Sequence, residues 1–532
     1  MNTEPIPKLC GADMELGNSI AGAPMSALGT GYEASRALLQ EIPGVSGGST
    51  FTRYPANGVG QSPVNSGTTD PLSQDWGRQF HPNGGCQYID LNHLEICIAE
   101  ALDARDHLAG VQAGYRIARE ASFAANRRLR ADQTIHVFAN NTDGLGNSFG
   151  SHLNFLVSRS GWNNIIHRLH YQLLLASYQA SSIIYCGLGK VGSENGAPVV
   201  DYQISQRADF MEVLAGQQTT WNRPLINSRD ESLCGRDPNL ARLHVICYDH
   251  NLCDVAAFLK VGVLQIVLAM LECGWKNSAL LLDDPVGSMQ IWSHDPALQM
   301  PAPLLLGGEI TAVDWQRRFF EEASAFVNGG RCDLAVPRAQ EILTLWGDTL
   351  DKLAQRNFGA LRSRLDWVLK RAILEQTRQE HRLPWNSPEM KHLDHLYSHL
   401  DPAFGLFWAY LQAGCVERLL REEEVVQRMQ QPPENTRAWT RGRLLQLAHP
   451  SDIFSVDWDK ICFRLSSPHR PVPRYFNLPL SNPLAFTRAQ IEPLLPPHGK
   501  LGTALRMLGA TEVVSPTATD NYSTVHTGKE IS

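Results

Sequence analysis

Residues 83–100 read NGGCQYIDLNHLEICIAE, and residues 11–18 read GADMELGN. In the second of these, Asp13 and Glu15 are separated by one residue, so a β-strand places both carboxylates on one face, where they can converge on one cation. In the first, Tyr88 and Asp90 share one face of a strand predicted near Cys86–Asp90, and His93, Glu95 and Glu100 follow within a loop or helical turn. Paired acidic strands suit a magnesium–nucleotide site, because hard oxygens hold the metal and the metal offsets phosphate charge. Taken singly, acids at strand ends are more often solvated than functional.

Further along, ANNTDGLGNSFGSHLNFLVSR at 139–159 has the Asn, Gly and Ser density of a tight connection, then an apolar strand-like run in which His152 and Asn154 share a face. Between 202 and 251 come Arg207, Arg223, Arg229 and Arg242 amid carboxylates, with His244 just before a predicted strand. Guanidinium forks suit phosphate oxygens, although an interior salt-bridge network fits the same composition equally well.

The 532-residue chain carries 47 Lys+Arg against 54 Asp+Glu, a net charge of −7, with 43% hydrophobic residues. That composition supplies a sizeable core and excludes a mainly disordered or fibrous protein. The interspersed charge leaves no basic field, which argues against nucleic acid as a partner. Eleven scattered cysteines without a CxxC pair read as free thiols in a reducing cytosol. Met1–Leu9 lacks the pattern of a signal peptide, and the apolar run Val261–Leu271 is shorter than a bilayer span, so a cytoplasmic protein with no membrane association is expected.

Helical periodicity is expected near Gly31–Gln40, over Leu91–Leu129, as a buried helix over Val255–Glu272, and through most of Asp314–Glu380, where Trp367 packs a helix on the core. Short β-type runs fall at Ile135–Phe138 and Cys247–Tyr248. Residues 43–85, rich in Gly, Ser, Pro and Asn, read as a long loop inserted in a domain. His392, His395 and His399 lie on roughly one helix face, which reads as a polar surface rather than a metal stripe. Gln431–Pro433 breaks the helical pattern, giving a main domain over 1–430, a small C-terminal domain over 431–510 and a polar tail over 511–532. Cys97, with no basic partner at fixed spacing, reads as a packed thiol.

The collinear series GADMELG, YIDLNHLE, NNTDGLGNSFGSHLN, SQRADF, INSRDE, RLHVICYDHN, FLKVG, LDWVLKR, PPENTRAWTRG and VDWDKICF, from about residue 10 to about residue 470, resembles the Pup ligase and Pup deamidase/depupylase family, proteasome accessory factors related to glutamine synthetase. The resemblance implies an α+β fold, a glutamine-synthetase-like curved antiparallel sheet that cradles ATP, backed by helices and followed by a small C-terminal domain. It places Asp13, Tyr88 and Glu95 where the family holds magnesium, with Glu15 beside them and His244 grouped with the metal ligands. Asp90 falls on the catalytic aspartate, Arg207 and Arg229 on phosphate-facing arginines, His152 on an active-site histidine grouped with the nucleotide contacts, and Trp458 on the tryptophan that contacts the nucleotide. Four positions depart from the family pattern: Asp13 replaces a Glu, Leu153 the Glu of a His-Glu-Asn triplet, Cys86 an Arg and Ile98 a nucleotide-contacting Thr. Fewer acids weaken binding of a second or third cation.

The spacing Asp90-x-x-His93-x-Glu95 matches the deamidase branch, the ligase carrying one more residue between Asp and His, and the 43–85 insertion sits where the deamidase has an extra loop. The resemblance therefore implies an ATP- and magnesium-dependent amide or isopeptide hydrolase. Its partners would be a Pup-like modifier and modified proteins, with an indirect link to a bacterial proteasome. The alternatives are an ATP-dependent ligase joining a modifier carboxylate to a lysine amine, and a non-catalytic binder, the latter suggested by Leu153, Cys86 and Ile98 together.

Overall fold

The computed structural model describes residues 4–23, 29–44, 78–235, 237–467, 470–495 and 501–513. Its centre is a seven-stranded antiparallel sheet organised around β1 (Cys10–Ala21). The first half of β1 pairs with β4 (His93–Ala101) and β6 (Ser151–Ser158), and its second half with β5 (Thr134–Phe138). β3 (Cys86–Asp90) and β2 (Gln79–Phe80) extend the sheet beyond β4, and the strand Leu240–Val245 extends it beyond β6.

Strand alternation divides the sheet into two faces. Ala12, Met14 and Leu16 of β1 and Leu94, Ile96 and Ile98 of β4 are buried in the main core, which helices cover on that side. Two of these are α1 (Gly29–Glu41) and α2 (Ala104–Asn126), the latter started by Asp103, whose side chain accepts from the backbone N–H groups of Arg105 and Asp106. Deeper lies the helix Asp254–Glu272, long and apolar enough to cross a membrane yet buried along its whole length.

Several expectations are corrected. The helical reading of Leu91–Leu129 fails at its start, because 93–101 is a strand: Leu94, Ile96 and Ile98 alternate with Glu95 and Cys97 at period two, and the helix begins only at Ala104. Cys247–Tyr248 lies just past the strand, which ends at Val245. Within the expected 43–85 loop, Gln79–Phe80 pairs with β3, and residues 45–77 lie outside the described residues. At the expected tail, Thr511–Val513 forms a strand, and 514–532 lie outside the described residues. His399 falls beyond the helix Pro388–Tyr397 and bonds His136 ring to ring at 2.9 Å, so the three histidines do not form one helical stripe.

After the helix Ala438–Leu447, a four-stranded antiparallel sheet (Ile453–Val456, Lys460–Ser467, Arg470–Pro479 and Thr511–Val513) builds a second core around Ile461, Phe463 and Leu478. It is tied to β4 by Glu100, whose carboxylate accepts from Arg437 Nε and Arg441 Nη2, both at 2.7 Å. Burial opposes ionisation of Glu100, but the two guanidiniums outweigh it and hold its pKa down at about 2.

Candidate active site

Directly paired residues on antiparallel strands point to the same side, so the register builds the site row by row. Asp13 stands opposite His152 on one flank and Cys97 on the other, and Cys97 opposite Cys86. In the next row Glu15 faces Glu95, which faces Tyr88, and Asp90 faces His93 where the β3–β4 hairpin closes. Asn154 is opposite His244. The sequence-predicted Asp13, Glu15, Tyr88, Asp90, Glu95, His152 and His244 therefore share the face away from the helices.

Two groups of ligand atoms converge there, each within 4.8 Å: Glu15, Asp90 and Glu95, and Asp13, Glu95 and Cys97. Glu95 belongs to both. Buried and crowded acids hold one another's protons: burial first and Asp90 second raise Glu15 to about 7. Burial followed by Asp90, Asp13 and Glu15 raises Glu95, which also accepts from the Tyr88 hydroxyl. Asp90 is raised chiefly by burial. The all-oxygen group Glu15, Asp90 and Glu95 fits magnesium; the group containing Cys97 does not, since magnesium takes oxygen ligands.

The histidines orient this cluster rather than charge it. Asn154 Nδ2 donates to Asp13 Oδ2 at 2.7 Å, so its oxygen is free to accept from His244 Nδ1 at 2.8 Å, leaving His244 Nε2 with the lone pair. His244 thus acts on Asp13 through Asn154 and belongs to neither convergent group. The His152 ring meets the His244 ring edge to face at 5.0 Å and brings Nε2 to 4.0 Å from Glu15. Burial, then neighbouring arginines, lowers both imidazoles and keeps them neutral. His152 occupies space open only because residue 150 is glycine: a Cβ there would lie 2.0 Å from its Nε2. Behind β1, His250 Nε2 donates to the Glu15 carbonyl at 3.0 Å and its Nδ1 accepts from Tyr115, anchoring the strand beneath the cluster.

Asp90 ends β3 at a two-residue loop, Leu91-Asn92, in which Leu91 takes φ 50°, a left-handed conformation that disfavours a branched side chain. Asn18 pins the loop by donating to the Asn92 carbonyl, and His93 stacks on Phe149 at 4.3 Å.

The arginines divide by what they touch. Arg207 is buried and donates to Ser148 Oγ and to the Phe149 and Ile246 carbonyls, so it braces the 148–149 loop rather than presenting a free fork to phosphate. Among the described residues, the Arg229 side chain makes only a long 3.5 Å contact to Thr219 Oγ1, and its charge acts on Asp90, His152 and His244. Arg223 acts on Glu15 while donating to the Thr219 and Ser148 carbonyls, and Arg242 pairs with Glu231 at 3.2 Å, its buried Nε having no hydrogen-bond partner among the described residues.

Beside the acids a cavity of about 380 Å³, within the usual range of small-molecule sites, separates the sheet from the C-terminal unit, with Asp13, Tyr88 and Arg242 on one side and Arg437 and Trp458 on the other. Trp458 is held by an edge-to-face contact with Phe80 at 5.2 Å and by Arg441, whose guanidinium lies 4.8 Å from its ring centre and donates to its carbonyl. Arg78 lies 5.4 Å from the Tyr88 ring centre, so the guanidinium expected at position 86 is present near Tyr88 from another strand end.

Two of the four departures change meaning. Leu153 is buried in the main core with Ala12 and Met14, on the helix side, and the Ile98 side chain packs against Gly110 and Gly114 of α2. Neither position points its side chain at the acids, so the loss of a carboxylate at 153 removes no ligand from this cluster. Sequence reasoning missed Arg78 and the roles of Arg437 and Arg441; the latter two stand in the quoted PPENTRAWTRG segment, whereas nothing local marks Arg78.

The sequence pattern of the Pup-ligase protein family matches residues 9–462. Among curated relatives, a depupylase from Acidothermus cellulolyticus is 35% identical over 415 residues, covering 78% of this chain and 80% of the relative. A Pup deamidase/depupylase from Mycolicibacterium smegmatis is 32% identical, with 78% and 80% covered, and a Pup–protein ligase from Actinosynnema mirum 34%, with 72% and 84% covered. Among solved structures, the ligase PafA in complex with the prokaryotic ubiquitin-like protein Pup superposes with a TM-score of 0.74 at 23% identity, covering 94% of this chain and 91% of that one. PafA in complex with ADP gives 0.69 at 24% identity, with 87% and 98% covered. This likeness shows the expected fold.

Proposed function

The chain belongs to the Pup-ligase protein family, and on that premise we propose that it is a hydrolase acting on a Pup-like modifier with ATP and magnesium as cofactors, deamidating a C-terminal glutamine, cleaving the isopeptide bond to a lysine, or both. The observation that carries the hydrolase reading is the two-residue β3–β4 hairpin, which sets Asp90 directly opposite His93 and beside Glu15 and Glu95. The matching spacing in the sequence is the one the deamidase branch resembles.

Glu15 and Glu95 would hold magnesium, and the cavity against Trp458 would hold the nucleotide; bound there, the pair supplies Lewis-acid polarisation and phosphate charge beside the reacting carbonyl. Asp90 accepts the proton of the attacking water at a carboxylate oxygen, a task helped by burial raising its proton affinity. Arg229, permanently charged and weakly engaged, donates to the negative charge that develops on the carbonyl oxygen. Neutral His152 and His244 position the acids without competing with the cation for charge.

The test follows the intact mass of a glutamine-ended modifier alongside ADP release. Conversion of the terminal amide to the acid with little ADP formed supports the proposal, and Asp90→Asn is expected to abolish it while nucleotide binding persists. Unaltered turnover in that variant removes Asp90 from the role. Stoichiometric ADP release coupled to conjugate formation from a glutamate-ended modifier would establish the ligase reading instead.

A further inference from the structure

Cys86 and Cys97 are the side chains that set this cluster apart from an all-oxygen magnesium face. They are directly opposed in the β3–β4 ladder, so their thiols lie side by side on one face of the sheet. Cys97 is at the same time opposite Asp13 in the β1–β4 ladder, and its thiol donates to Glu95 Oε1 at 3.7 Å. Cys97 Sγ therefore converges with one oxygen each from Asp13 and Glu95, and Cys86, outside that group, faces Cys97 from the adjoining strand. The position is shielded without being sealed: both cysteines are buried, and the cavity beside Trp458 opens onto Cys97.

Ligand chemistry selects the ion. Magnesium is held by oxygens in a nearly ideal octahedron and gains little from sulfur. Zinc accepts thiolate and carboxylate together and is satisfied by four donors in a tetrahedron; Asp13, Glu95 and Cys97 converge here, and Cys86, opposite Cys97, would supply the fourth. Asn154, which fixes Asp13, and Tyr88, which fixes Glu95, supply the hydrogen bonds that orient ligating carboxylates. The neighbouring position bounded by Glu15, Asp90 and Glu95 offers no sulfur.

We propose that the Asp13–Glu95–Cys97 position, completed by Cys86, takes a thiophilic divalent metal of the zinc type, while Glu15 and Glu95 remain the hard-cation ligands beside Asp90. Binding forms metal–sulfur bonds and breaks the S–H bonds of Cys97 and Cys86, whose protons pass to solvent; no electron is transferred. The metal would join β1, β3 and β4 beside the nucleotide cavity. The inference deepens the cation-dependent reading above but does not depend on which amide is cut.

The full chain, stripped with a chelator, is titrated with cobalt(II) alone as the zinc probe. The expected result is a near-ultraviolet thiolate-to-cobalt charge-transfer band together with the visible bands of a tetrahedral ion, displaced by zinc and not by excess magnesium. Cys97→Ser should abolish the charge-transfer band and Cys86→Ser should weaken it, whereas Cys415→Ser, at an exposed cysteine remote in sequence from the cluster, should leave it unchanged. Zinc-edge X-ray absorption on the unmodified protein needs no variant to fold and should show sulfur bound to zinc. An all-oxygen environment, a band that survives Cys97→Ser, or displacement of cobalt by magnesium overturns the inference. Nucleotide binding is measured on the same preparation: its retention without a thiolate signature overturns the zinc-type site alone, and a thiolate signature without nucleotide binding overturns the ATP-dependent reading alone.

Discussion

Replacing Glu100 by glutamine removes one negative charge and leaves Arg437 and Arg441 buried around the gap. A carboxyl held at about 2 rather than its ordinary 4.5 stabilises the folded chain by about 3 kcal/mol at neutral pH, at about 1.4 kcal/mol for each pKa unit. Because the folded-state value is depressed, that stabilisation is fully present above about pH 4.5 and is lost as pH falls toward about 2. The same figure follows from a second direction, since stranding a buried charge by deleting its partner costs about 3–5 kcal/mol. The loss should fall on the docking of the C-terminal unit, because Glu100 lies on β4 while Arg441 also donates to the Gly84 and Trp458 carbonyls. Amide hydrogen exchange reads it locally: opening free energy lowered by about 3 kcal/mol speeds exchange in the strands Ile453–Val456 and Lys460–Ser467 by about a hundredfold. Nucleotide affinity should fall as well, since Trp458 forms part of the cavity wall. Exchange that changes by less than about fivefold, equivalent to about 1 kcal/mol, would refute the reasoning and reduce this ion triad to the worth of an exposed pair.

Burial and Asp90 raise Glu15 to about 7, above its ordinary 4.5, so the cation-free protein should lose stability, by about 3 kcal/mol in all, as pH rises through that interval; magnesium affinity measured by calorimetry should fall about tenfold for each pH unit below 7, a dependence that Glu15→Gln should flatten. Gly150→Ala sets a methyl 2.0 Å from His152 Nε2 and should swing the ring away from Glu15, weakening magnesium binding with a melting temperature that is nearly unchanged; a large drop in that temperature would mean that the backbone, not the ring, yields. Leu153→Glu, which restores the family residue, should destabilise by about 3–5 kcal/mol in urea unfolding, because the carboxylate enters the apolar core, and it should add no cation site.

The single-chain pattern already contained the chemistry of each strand taken alone. Alternation at period two was enough to put Asp13 with Glu15, Tyr88 with Asp90 and His152 with Asn154 on common faces, and each pair does share a face. The collinear motifs carried the α+β fold, because they extend over most of the chain and their order follows the topology. The same alternation was present in LEICIAE, but its position before a long helical pattern drew it into that helix, and the strand that carries Glu95 and Cys97 was lost.

Periodicity says that two residues of one strand share a face; it does not say which face meets the helices, nor which residue of another strand lies alongside. Those choices depend on register, and register is set by packing Ala12, Met14, Leu94 and Ile96 against the helical layer, an energy spread over contacts distant in sequence. Only the tertiary structure therefore decides that Leu153 and Ile98 turn toward the helices, that Arg78 stands over Tyr88, that Arg437 and Arg441 converge on Glu100, and that Cys86 meets Cys97 beside Asp13. The sequence by itself determines which donor atoms each strand can offer. Which of them share a cation is fixed by strand pairing, whose driving force is the burial of the apolar side chains on the opposite face of the sheet.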